Sequence, residues 1–363
     1  MSLGDQLRAA NQSTQRTEVD SKPLRTSQRA VERSLADLSS DELVLVACSG
    51  GADSLALAAA VAKCQDRGLI RAGAVIVDHG LQSGSLAVAT RAAEQCAELG
   101  LDPVDIVQVD VARGAGSGGL EAAARDARYA ALDSGAKRWQ ASAVLLAHTQ
   151  DDQAETVLLG LARGSGSRSI KGMSSISGLY RRPFLDLRRT DTEAVCVSLG
   201  LQPHYDLHNQ DQKFTRVRLR QLALPALKDA LGDQVIPALA RTASQLQDDC
   251  AALDGQAEVE EAQRISRQPD GAWLLAGHVA GMRPLGELPR AIRTRIYRLF
   301  LLRGGIDPEK LTSTHIEAID ALVVAGRNRG PVRVPGDREL ARVESGLLLY
   351  EAGPLSTSGS HAS

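Results

Sequence analysis

Cys48-Ser-Gly-Gly-Ala-Asp-Ser54 follows a short apolar run, Leu43-Val-Leu-Val-Ala47, and precedes an Ala/Leu-rich stretch with helical character. The paired glycines let the backbone turn tightly and aim its N–H groups at one point. The amino end of the following helix adds partial positive charge there. Ser49, Gly50, Gly51, Ala52, Asp53 and Ser54 are therefore candidates for a nest that holds a phosphate or pyrophosphate, with Ser49 and Ser54 offering hydroxyls. Asp53 would repel a phosphate by itself, but with a Mg²⁺ between them it becomes a metal-binding carboxylate. A plain glycine turn capped by Asp or Ser is the alternative, and the loop's place after the first strand of a parallel sheet argues against it. The loop lacks the lysine of a Walker motif. A second glycine cluster, Gly114-Ala-Gly-Ser-Gly-Gly119, has dinucleotide-binding spacing but follows the third strand, where that motif does not belong.

Two further groups have chemistry to offer. Arg125 and Arg128 stand three apart in a helical stretch, so they can share a face and neutralise charge on a leaving pyrophosphate; pairing with Glu121 or Asp126 is the plainer role. His148 and Asp152 fall where a fourth strand gives way to a helix, placed to hold a metal, an amine or a nucleobase. Asp151 and Asp152 can also simply cap that helix. No further His or Glu at close spacing completes a hydrolytic zinc site.

The elements that must position these residues alternate. Apolar runs at 43–47, 72–77, 104–109 and 143–147 are separated by helical patterns at 54–67, 86–99, 120–137 and 151–161. Continuous apolar strands between helices predict a parallel sheet covered on both faces, an α/β fold. With 363 residues, at least two domains are expected. Residues 1–24 and 354–363 read as polar, disordered tails. A boundary near Leu227 separates a domain over 25–227 from a smaller, mainly helical one over 228–353, with helices at 227–262, 283–303 and 314–325 and short strands at 331–335 and 347–350.

Composition narrows the classes. No apolar run approaches the roughly 20 residues of a membrane span and no secretory leader opens the chain, so a cytoplasmic protein without a membrane partner is expected. Cys48, Cys64, Cys96, Cys196 and Cys250 have no paired spacing, which argues for buried reduced thiols over a zinc or redox site. The net charge of −2 argues against bulk polyanion binding, but the basic residues are clustered. Arg181, Arg182, Arg188, Arg189, Lys213, Arg216, Arg218 and Arg220 form one stretch; Arg290, Arg293, Arg295, Arg298 and Arg303 form another. Both suit selective contact with nucleic acid, and the second equally suits a helix face paired with acids.

Ser-Gly-Gly-x-Asp-Ser resembles the signature of the PP-loop ATP pyrophosphatases, which cleave ATP to AMP and pyrophosphate while activating a substrate as its adenylate. Val77-Asp-His-Gly-Leu81, Glu121 to Tyr129, His148 to Thr156, Arg163-Gly-Ser-Gly166, Arg182-Pro-Phe-Leu185 and the run from Asp206 through Asn209 and Arg220 to Pro225 resemble the tRNA(Ile)-lysidine synthetases in order and spacing. The resemblance is close over about residues 40–227. It implies ATP and Mg²⁺ as cofactors, and free L-lysine and a tRNA(Ile) with a CAU anticodon as partners, with a homodimer as one option for assembly. The implied reaction adenylates C2–O of the wobble cytidine, then lets the lysine ε-amine displace AMP, which changes codon reading from AUG to AUA. Asp53, Arg125, Arg128, His148, Asp152, Asn209 and Arg220 then form the catalytic set, with Asp78 and His79 joining the loop at the nucleotide. The lysine proton would pass to Asp152 or His148, and the basic stretch with the C-terminal domain would grip the tRNA. Thr149, His208 and Val217 stand where the family usually has His, Ser and Asn. Rival readings are a tRNA thiolase of the same superfamily, which tends to use cysteine pairs, and a non-catalytic RNA-binding relative.

Overall fold

The computed structural model describes residues 21–80, 84–109, 119–164, 166–205, 213–324 and 330–351. The stretch read as an N-terminal tail lies outside them as far as residue 20, and α1 (Lys22–Ser34) opens two positions later, with Ser21 capping it. The C-terminal tail also lies outside.

Five residues of β1 (Leu43–Ala47) are all buried, as expected of a strand covered on both faces. It pairs in parallel with β2 (Arg71–Asp78) on one side and β4 (Ala143–Leu145) on the other. β3 (Val104–Gln108) extends the sheet beyond β2, and a short hairpin of β5 (Ile176–Ser177) and β6 (Tyr180–Arg181) extends it beyond β4, giving the order β3-β2-β1-β4-β6-β5. Alternation along β1 divides the core. Val44 and Val46 pack with α1, α2 (Ala52–Asp66), α3 (Ser85–Glu98) and α7 (Arg189–Leu199), through Leu24, Val31, Leu55, Cys96 and Val195. Leu43, Leu45 and Ala47 pack against Leu132 and Ala136 of α4 (Gly119–Trp139). Burial of each of these Leu and Val side chains contributes about 1.5–3 kcal/mol.

The chain runs outward from β1 to β3, then returns to the other side of β1 at β4. That reversal opens a crevice at the carboxyl ends of β1 and β4, where open α/β sheets take ligands. The loop after β1 and α5 (Gln150–Arg163) both start there. α6 (Ser167–Ile170) follows α5. After α7, the chain forms α8 (Thr215–Arg218), a π-turn at Leu219–Ala223 and α9 (Leu224–Leu231).

Two compact units result, Met1–Ser244 and Gln245–Ser363. Residues just beyond Leu227 belong to the first by packing, since Ile236 of α10 (Val235–Arg264) clusters with Ala154 and Leu224. The second unit has α11 (Arg290–Arg303) and α12 (Ser313–Val324) where helices are expected. Beside its helices stands a five-stranded antiparallel sheet, ordered β7 (Ile265–Arg267), β8 (Trp273–Ala276), β11 (Gly346–Glu351), β10 (Arg338–Val343), β9 (Val332–Val334), with β9 and β11 at the short strands expected over 331–335 and 347–350. β8 and β11 carry short apolar runs, whereas β7, β9 and β10 are interleaved with charge and lack the runs that mark the first sheet. Tyr297, Phe300 and Leu301 of α11 bury against Leu340 and Leu349. The arginines of α11 pair internally: Arg293 with Asp320 at 2.8 Å, Arg295 with Asp254 at 2.7 Å and Arg303 with Glu261. For these three the paired helix face is the correct reading.

Gly73 on β2 has no room for a side chain. A Cβ there would stand 2.5 Å from the Pro103 carbonyl oxygen and 2.9 Å from Leu45 Cδ2. Gly73→Ala is expected to destabilise the fold by about 1–3 kcal/mol, read as a lower urea midpoint. An unchanged midpoint would contradict this packing.

Candidate active site

The loop after β1 is built for its turn. Gly50 has φ of +80°, a conformation other residues rarely adopt, and its carbonyl accepts the His204 N–H at 2.8 Å. Gly51 caps α2 without any side-chain hydrogen bond. The first-turn N–H groups have no intrahelical partner and are available to an anion. Ser54 is committed to the loop itself: its hydroxyl donates to the Gly51 carbonyl at 2.9 Å and accepts from Ser49 N–H at 3.2 Å. The hydroxyl of exposed Ser49 also meets it at 3.2 Å. Ser49 is thus the better-placed hydroxyl for a ligand, and Ser54 holds the loop's shape.

Asp53 lies in the first turn of α2. Thr192 Oγ1 donates to one carboxylate oxygen and Arg189 Nε approaches the other at 3.4 Å. Burial pushes the Asp53 pKa up, the nearby Asp152 charge adds to this, and Thr192 and Arg189 oppose it without cancelling it.

At the start of α5, Asp152 does two things. One oxygen accepts from the Thr149 N–H at 2.8 Å and hydroxyl at 2.9 Å, closing a capping box. The other accepts from Arg189 at 2.9 Å and Arg220 at 3.4 Å. Capping and a site role are therefore not alternatives here. Thr149, the departure from the family pattern, is buried as the cap residue. Burial opposes ionisation of Asp152, but Arg189, the Thr149 N–H and His148 outweigh it and hold the pKa below the usual value. Asp151 serves structure: Arg188 grips it through two bonds of 3.0 and 3.1 Å, and the Arg189 N–H donates at 3.0 Å.

Glu155 and Arg189 complete this cluster, and neither stands out in sequence. Glu155 is fully buried one helical turn beyond Asp152, where Arg220 Nε donates to it at 2.8 Å and Arg189 lies 3.9 Å away. Spacing could have flagged Glu155, since residues three apart share a helix face. Arg189 is masked by its surroundings, being one of many arginines in a basic stretch. Much of that stretch is engaged inside the fold: Arg181 with Asp37, Arg182 with the Ser174 carbonyl, and Arg188, Arg189 and Arg220 as above. It is therefore not a continuous tRNA-gripping surface; Lys213 and Arg218 are its exposed members.

His79 and His148 follow β2 and β4, and the Nδ1 atom of each is buried without a protein hydrogen bond. Burial brings the His148 pKa down to about 4, with Asp152 opposing and Arg128 assisting. Burial and then Arg128 also lower that of His79. Both rings are neutral near pH 7. Arg128 thus acts on both rings, whereas exposed Arg125 lies over the Tyr129 ring, 5.1 Å from its centroid. The two arginines do not form one matched pair. Asp78 is buried and shapes its own turn by accepting the Gly80 N–H at 3.1 Å. Asn209 and His208 lie outside the described residues.

A parallel sheet whose first strand feeds a Ser-Gly-Gly-x-Asp-Ser turn, with basic and acidic groups at the neighbouring strand end, defines a PP-loop domain. Residues 23–227 match the PP-loop domain family. Three relatives named tRNA(Ile)-lysidine synthase are similar over nearly the whole chain. The protein from Thermobifida fusca is 47% identical, covering 90% of this chain and 97% of its own. That from Streptomyces coelicolor is 50% identical, covering 86% of each. That from Salinispora arenicola is 45% identical, covering 92% and 98%. The U34-tRNA thiolase NcsA from Methanococcus maripaludis, solved with its [4Fe-4S] cluster, shares the fold at TM-score 0.53 and 16% identity, covering 62% of this chain and 80% of that one. The chain belongs to the tRNA(Ile)-lysidine synthase family.

The depressed His148 pKa has a thermodynamic consequence. An unfolded His takes up a proton near pH 6.5, whereas the folded one resists until about pH 4. Stability is therefore present above 6.5 and is lost as pH falls between those values. The urea midpoint should drop across this window, and His148→Gln should flatten the drop. An equally steep drop in the variant would contradict the assignment.

Proposed function

We propose that this protein ligates lysine to C2 of the wobble cytidine of a CAU-anticodon tRNA(Ile), using ATP and passing through an adenylated tRNA. The observation that carries this is Arg189, which touches both Asp53 of the phosphate loop and Asp152 of the acid cluster. One side chain therefore joins the place for a triphosphate to a place for a cationic amine. Around it three carboxylates, Asp53, Asp152 and Glu155, face two guanidiniums, Arg189 and Arg220, which leaves one negative charge for an incoming cation.

The roles follow from these surroundings. First-turn N–H groups and Ser49 hold the phosphates, and Arg128 neutralises charge on the departing pyrophosphate, with Arg125 available beside it. Asp78 and His79 border the nucleotide. Among the described residues no three potential ligands form a metal cage. Mg²⁺ commonly takes one or two carboxylates and completes its shell with phosphates and water. Asp53 fits that mode, because a cation beside a buried acid favours its ionised form. Bound there, Mg²⁺ would supply charge stabilisation for the pyrophosphate. Asp152 and Glu155 draw in the lysine amine. Its proton has two possible acceptors, and His148 is favoured over Asp152: His148 Nδ1 has no protein partner, while the Asp152 oxygens are engaged by Thr149, Arg189 and Arg220. Arg220 acts at the same centre, and the family resemblance gives Asn209 a part in the reaction. We place the reaction in the cytoplasm; among the described residues no helix is long and apolar enough to cross a membrane. The thiolase reading is weaker, because that likeness extends to the fold alone.

Incubation with Mg-ATP, radiolabelled lysine and a panel of tRNA transcripts tests the proposal. Label should enter only the CAU tRNA(Ile), and Asp53→Ala should lower the rate by about 10²-fold or more while tRNA binding persists. Protein that binds Mg-ATP yet transfers no lysine to that tRNA would refute it.

A further inference from the structure

Among the described residues, the exposed aromatic residues are Trp139, Tyr205 and Phe214. Trp139 has a local role, donating its ring N–H to Asp105 at 3.3 Å. Tyr205 is 75% exposed and Phe214 38% exposed. Each is tied by its backbone to the reaction centre. Tyr205 follows His204, whose N–H is held by the Gly50 carbonyl of the phosphate loop. Two bonds between Gln95 and the Gln202 backbone, at 2.8 and 3.2 Å, fix the same segment against α3. Phe214 caps α8, and the π-turn that follows delivers Arg220 to Asp152 and Glu155. Arg218 folds back onto the Lys213 carbonyl at 3.0 Å and the Thr215 hydroxyl at 3.1 Å, so the turn carrying Phe214 is braced and cationic.

Exposed rings on braced backbone beside positive charge are what unstacked nucleotides bind, because every base offers a face to stack and every linkage a phosphate. Resting on the proposed function, we infer that Tyr205 and Phe214 are stacking platforms for single-stranded anticodon-loop nucleotides next to the wobble cytidine. They hold the neighbours of a base that must leave its stack to reach the loop. The occupant is single-stranded RNA, because exposed Lys213 and Arg218 match its phosphates and the same turn leads through Arg220 to the centre where the wobble base reacts.

The test uses the full chain with the CAU tRNA(Ile) transcript, and with transcripts carrying an abasic nucleotide on either side of the wobble position. Tyr205→Ala and Phe214→Ala should each raise the KM for tRNA about tenfold. Mg-ATP binding, read by calorimetry, should not change, and Tyr205→Phe and Phe214→Tyr should restore the tRNA KM. An abasic neighbour should weaken the wild type by a similar factor and the matching Ala variant little further. Ala variants with a wild-type KM, or an abasic penalty of full size in both, would overturn the stacking assignment alone. A wild type that binds no tRNA would overturn the proposed function and this assignment together.

Discussion

Two guanidiniums holding three carboxylates together are the constraint on which the candidate site depends. Asp53, Asp152 and Glu155 come from two helices that start at different strands, and like charges brought this close repel strongly where water is scarce. Arg189 and Arg220 make the arrangement tolerable. Loss of either would leave three acids facing a single guanidinium, the costly way to break a partly buried ion cluster. The incomplete neutralisation leaves the cluster attractive to a cation, which is what the proposed function asks of it.

The fold serves this cluster. β1 and β4 lie side by side, so the phosphate loop and the head of α5 emerge as neighbours. α7 packs beside α2, with Val195 in the same core as Leu55, and this brings Arg189 and Thr192 to Asp53. Arg220 arrives by another route, on a π-turn, a distortion of helix often found at functional sites. Neutral histidines border the crevice because burial and Arg128 disfavour their charged forms. They bring uncharged ring nitrogens, able to accept a proton, to a site otherwise crowded with fixed charges.

Much of this was legible in the amino-acid sequence, for physical reasons. Strands buried on both faces are written as apolar runs, so β1 to β4 and their order of helices could be read directly. Asp53 and Asp152 could be found because a glycine turn and a strand end are local features. Arg189 could not: it meets Asp53 and Asp152 across long stretches of chain, and nothing local separates it from Arg181 or Arg188, which brace the fold. The hairpin of β5 and β6 is two residues deep on each side, too short to show a period. In the second unit, Arg338-Glu-Leu-Ala-Arg-Val343 mixes charged and apolar residues without a period of two and gives no run to detect.

The central claim is that one site adenylates the tRNA first and admits lysine second. The most direct measurement mixes enzyme, Mg-ATP labelled in its α-phosphate and the CAU tRNA(Ile) without lysine, and follows the label. The account predicts pyrophosphate release with label retained on the tRNA, and discharge as AMP only when lysine is added. Label that stays off the tRNA, and appears on lysine when tRNA is withheld, would contradict it.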